Sequence, residues 1–109
     1  MDFAAGDLRE RVTLQRGTST INSGGEEILA WVDLDTVFAS WRRATARETL
    51  AAAELSASVS DVFEVRKSNS IATLGPRDRL IWRGRTYDIA NVERIGWHGL
   101  RVAAVARGE

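Results

Sequence analysis

Large apolar side chains recur at every second position along much of this chain, in short runs broken by Gly- and Asn-containing turns. That pattern restricts it to a fold made mainly of half-buried strands. Over residues 8–16, Leu8, Val12 and Leu14 share one parity while Arg9, Arg11, Thr13 and Gln15 share the other, with Glu10 the exception. Residues 28–35, which include Trp31, resume an extended pattern. Residues 36–44 continue it with Val37, Ala39 and Trp41 on one face. The next strand, over residues 59–67, is expected to bury mainly Phe63 and Val65. Three further strands follow in quick succession, at 79–82, 86–95 and 100–106, joined by the turns Arg83-Gly84-Arg85 and Gly96-Trp97-His98-Gly99.

Two segments break the alternation. Thr45-Ala46-Arg47-Glu48 has the form of a capping box, in which the Thr hydroxyl and the Glu carboxylate each accept an amide of the other residue, so a helix starts there. Ala51, Ala52 and Ala53 favour it, and the serines at 56, 58 and 60 end it near Ala57. Its large hydrophobes are Leu50 and Leu55 alone, too few to hold it firmly on its own domain. Residues 17–27 are rich in turn formers and nearly free of large apolar groups. They are expected to form a long exposed loop, with Gly24-Gly25 as the alternative tip of an extended hairpin. The expected fold is mainly β: a small antiparallel barrel or sandwich of about six strands, with one short helix inserted midway, in a single domain spanning 1–109.

A chain of 109 residues builds a modest core and gains from burial against neighbours. Its 15 basic and 15 acidic residues cancel, which argues against tight sequence-independent binding to nucleic acid. With no Cys, disulfides and thiol chemistry are excluded, and His98 is the sole histidine, in a turn without the spacing of a triad. Asp33-Leu34-Asp35 and Glu26-Glu27 lack the spacing of a calcium loop, and Gly24-Gly25 precedes no Lys-Ser pair of a phosphate cradle. No catalytic residue, cofactor or metal is therefore expected. Among the four tryptophans, Trp41 and Trp82 are expected in the core, while Trp31 and Trp97 lie beside loops and suit either core packing or an interface anchor. No segment is apolar enough to span a bilayer as a helix and the start has no leader pattern, so a soluble protein made in the cytoplasm is expected.

The order of these features resembles a known family. Gly6-Asp7-Leu8-Arg9-Glu10-Arg11-Val12-Thr13-Leu14-Gln15-Arg16 is followed by the polar stretch with Gly25-Glu26, then Trp31, then Thr36-Val37-Phe38-Ala39-Ser40-Trp41. The match continues through Arg47-Glu48 and the Ala-rich helix, Phe63-Glu64-Val65-Arg66, and the hairpin from Asp78 to Ile89 with its Gly84-Arg85-Thr86-Tyr87. In this order the chain resembles the phage head–tail joining family, also called head-closure or stopper proteins. The resemblance implies a non-enzymatic β-barrel that forms a homo-oligomeric ring beneath the portal and its adaptor. Such a ring closes the DNA-filled head, receives the tail through its terminator protein, and lets DNA pass without sequence-specific binding. Zero net charge suits that passage.

The final strand, Val102-Ala103-Ala104-Val105-Ala106, is more apolar than the family pattern, and the Ala and Arg bias also fits a phage-derived particle such as a gene transfer agent. On this reading Trp31, Trp97, Gly24, Gly25 and Glu26 are interface candidates. Arg42, Arg43 and Arg47, around the helix start, are candidates to face the channel. The rival reading is a small barrel that binds single-stranded nucleic acid, which requires exposed aromatics beside a basic groove.

Overall fold

The computed structural model describes residues 8–53 and 58–107. Six strands run in the order β1 (Glu10–Ile21), β2 (Glu27–Arg43), β3 (Asp61–Arg66), β4 (Asp78–Trp82), β5 (Arg85–Ile95) and β6 (Gly99–Ala106). A short helix, α1 (Ala46–Ala53), lies between β2 and β3, and a single 3₁₀ turn (Asn69–Ile71) lies between β3 and β4. Neighbouring strands are antiparallel and close into a barrel in the order β1-β2-β3-β6-β5-β4. Of the two architectures the alternation allowed, the barrel forms.

Inward parity fills the interior. Val12 and Leu14 of β1, Ala39 of β2, Phe63 and Val65 of β3, Leu80 of β4 and Val102 and Ala104 of β6 are fully buried. Aromatic rings close one end: Trp41 stacks on Trp82 with centroids 5.2 Å apart, and Phe63 meets Trp82 edge-on at 5.4 Å. Trp41 departs from the core position expected of it. It has the inward parity but sits at the barrel rim, 39% exposed, donating its indole N–H to Asp61 at 2.7 Å. The opposite end is closed by the segment between β3 and β4, which drives Ile71 and Leu74 into the core.

Val62 departs in the other direction. Its outward parity predicts exposure, yet it is 1% exposed, because α1 lies over it: Glu48, Ala51 and Ala52 line a groove with Val59, Val62 and Ala103. The same groove covers part of the outward face of β6. No residue of α1 is itself buried and Leu50 is 67% exposed, so the helix sits lightly, as its thin apolar face predicts. The expected end of the helix near Ala57, and Leu55 with it, lie outside the described residues.

Residues 17–27 are the main correction. They are not a long loop: β1 runs on to Ile21 and β2 starts at Glu27, with Gly17 paired to Trp31 and Ile21 to Glu27. The turn is confined to residues 22–26 and is built on Asn22, whose side-chain oxygen accepts the amides of Gly24 and Glu26, both at 2.9 Å. Gly25 takes φ 81°, which a side chain would strain. The hairpin alternative, with Gly24-Gly25 at its tip, is the one adopted.

Candidate assembly surface

The ladder registers sort the surface into two ends. β1 leaves the barrel beyond Arg16, its last residue paired to β4, and β2 joins β3 only from Ala39 onward. Residues 17–21 and 27–31 therefore form a two-stranded arm with no strand among the described residues on either outer edge, and the molecule is drawn out to 50 × 30 × 24 Å. At the same end lie the segment between β3 and β4 and the β5–β6 turn, since Arg66 and Ile95 both pair with Gly99. Helix α1 and the Arg83-Gly84 turn occupy the other end.

An isolated two-stranded ribbon is marginal in water, so the arm needs a brace at its root. Trp31 supplies it on one face. Its ring lies over Gly17, where an added Cβ would come within 3.3 Å, and the Arg79 guanidinium stacks on it at 4.0 Å. Arg79 also donates to Gln15 at 2.7 Å, and Gln15 donates to Asp33 at 2.7 Å, tying β4, β1 and β2 together. Burial and the nearby Arg107 lower the pKa of Arg79. Below the arm, Asp78 is buried and receives two bonds from Arg16, at 2.9 and 3.1 Å, and the amide of Gly75 at 2.9 Å. The register also slips between Leu14 and Gln15, a bulge where the arm departs.

Of the interface candidates, Trp31 is half-buried as the arm's brace, while Gly24, Gly25 and Glu26 are exposed at its tip. Trp97 is 88% exposed in the β5–β6 turn. The arm also carries Ile21, Ile28 and Leu29, and Val32 lies at its root, all 45% exposed or more and none of them among the expected interface residues. The signal available was an isolated apolar residue for Ile21, between Thr20 and Asn22, and for the others an unbroken apolar run, Ile28 to Val32, too continuous for a strand with one face in water.

At the other end, Arg42 is committed locally, with its guanidinium gripping Glu48 through two bonds of 2.7 and 2.8 Å. Arg43 and Arg47 are exposed. The capping box forms as predicted: the Thr45 amide donates to Glu48 at 2.8 Å and the Glu48 amide to the Thr45 hydroxyl at 3.2 Å. The Arg42 bonds, with the Thr45 amide and against burial, bring the Glu48 carboxyl down to about 2 from 4.5. A carboxyl lowered on folding contributes its full stability above its unfolded pKa and loses it as pH falls through the folded one. The helix anchor therefore weakens between pH 4.5 and about 2. Glu48→Gln is expected to flatten that part of the acid-unfolding profile and to cost on the order of 1 kcal/mol at pH 7, read by thermal unfolding across pH.

The described residues thus form a filled barrel that projects a ribbon and an exposed aromatic turn from one end. Among the described residues, no three His, Asp or Glu side chains gather as metal ligands, and no helix is long and apolar enough to cross a membrane. The family model of the phage head completion protein matches residues 3–100, and the chain belongs to that family. Its role is accordingly structural, in a phage-like particle. Solved structures share the fold, two of them as follows. A Shigella flexneri 2a protein solved in solution is 20% identical, with TM-score 0.77, over 98% of this chain and 99% of its own. A chain from the virion of a native gene transfer agent particle is 17% identical, with TM-score 0.56, over 92% and 96%. No curated protein matches the chain.

Proposed function

We propose that this protein closes the DNA-filled head at the head–tail junction, as a homo-oligomeric ring held beneath the portal and adaptor and presenting a surface to the tail terminator. One observation carries the reading: the arm, a braced ribbon with both edges open and apolar side chains uncovered, has no use within a monomer. Unpaired strand edges are normally blunted or covered, and an assembly covers them. Family membership and the gene transfer agent relative, itself part of a virion, support the particle context. A role in such a ring asks no catalysis of the chain. At the helix end, Arg43 and Arg47 are better placed than Arg42 to face passing DNA, because Glu48 already neutralises Arg42. The rival nucleic-acid reading is weakened by the aromatic pattern, since stacking of successive bases needs successive free ring faces, whereas Phe38 lies under the Arg11 guanidinium, Trp41 stacks on Trp82, and Trp97 stands alone in its turn.

Loss of the gene tests the reading. Cells lacking it are expected to accumulate packaged heads without tails that lose their DNA on purification, seen by electron microscopy and nuclease protection. Normal tailed particles would refute the assignment.

A further inference from the structure

We infer that the acidic tip of the arm docks on the rim around Trp97 of a second copy of this chain, an inference that rests on the ring reading above. The argument begins with charges left over. Among the described residues, every acidic side chain except two is engaged by an Arg, Gln, Ser or Trp partner. The exceptions are Glu26 and Glu27, exposed at the arm tip beside Ile21 and Ile28. The β5–β6 turn carries the complement. Trp97 is 88% exposed, and Arg66, Lys67 and Arg94, around the same turn by register, have no acidic partner among the described residues. An unspent negative charge beside apolar surface thus meets an unspent positive charge beside an exposed Trp, the residue type most enriched in interface anchors.

Geometry excludes the same molecule as partner. The five paired positions from Gly17 to Ile21 carry the tip roughly 15 Å beyond the barrel. The Trp31–Arg79 stack fixes the root, so the tip cannot fold back onto its own rim. Tip and rim are different patches of one chain, and a contact between them is head-to-tail, the kind that closes into rings. The contact requires barrel axes that run along the ring axis: every copy then presents its arm end to the same side, and an arm leaning from one rim passes over the neighbour's rim and not over its helix end, where Arg43 and Arg47 lie.

The chain contains no Cys, which makes the contact directly testable. Particles carrying Glu27→Cys together with Arg94→Cys, treated with a short bismaleimide and denatured, are expected to give a ladder of linked oligomers, while either single variant gives monomer. Glu27→Arg is expected to reduce incorporation into particles at least about tenfold, and adding Arg94→Glu to restore it, since a reversed pair recovers the attraction. Several copies per particle without a ladder would overturn the contact and leave the ring standing; one copy per particle would overturn both. If the rim instead held a nucleic-acid strand, Arg94→Glu would abolish binding of a single-stranded oligonucleotide and Glu27→Arg would rescue nothing, which also overturns the proposal.

Discussion

Removal of residues 18–30, with Gly17 and Trp31 rejoined through an Asn-Gly turn, is expected to leave a folded barrel that no longer joins heads to tails. The removed residues contribute nothing to the buried core, and a two-residue turn of that type suits a right-twisted ribbon. The melting temperature should therefore move little, within the range of surface changes of about 0.5 to 1 kcal/mol. Joining should fall by on the order of a hundredfold or more, because a few well-placed side chains dominate an interface and two such losses are worth about 4 kcal/mol. Complementation of heads with purified variant, scored as tailed particles, separates the two outcomes. Normal joining by a folded, armless protein would remove the arm from the assembly mechanism.

The largest effect on stability is expected from Asp78→Ala. Asp78 is 2% exposed and accepts three bonds, two from Arg16 and one from the amide of Gly75. Truncating it leaves the Gly75 amide and the Arg16 Nε without their acceptor, while the Arg16 Nη2 keeps its bonds to Thr73, at a cost of about 3 kcal/mol. In a domain of this size that lowers the melting temperature by roughly 12 °C or more. Asp78→Asn keeps one acceptor but not the charge and should fall between. Scanning calorimetry on the three proteins orders them, and a loss under about 1 kcal/mol for the alanine variant would mean that water replaces the carboxylate.

The barrel strands were legible because each buries one face, which imprints period two on the sequence, and the helix start because its capping box is a local motif. The arm was not legible by that rule. Thr18 and Thr20 are competent strand formers, but with water on both faces nothing imposes apolar alternation around them, so the stretch reads as loop. Parity alone also does not tell how far along the barrel a residue lies, which is why Trp41 was expected inside and is found at the rim. Val62 shows the converse: a second layer, α1, buries an outward residue that a single sheet would expose. Among the candidate residues, Trp97 was legible as an exposed aromatic in a turn. The bracing role of Trp31 depends on Arg79, 48 positions away in the sequence, and no local pattern announces such a pair.

The barrel itself is solid: rings of Trp41 and Trp82 stop one end, Ile71 and Leu74 the other, and Phe63, Leu14 and Leu80 fill the middle. Even eight strands enclose barely enough room for their own side chains, and six enclose less. Nothing the width of a duplex can thread a single subunit. In the proposed ring the bore is therefore framed by outer surfaces, and its calibre is set by copy number and by the angle at which each copy leans on the next. Substitutions that resize the interior would change how long a subunit survives heating but leave the bore alone, whereas a small change where two copies touch would be multiplied around the whole circumference.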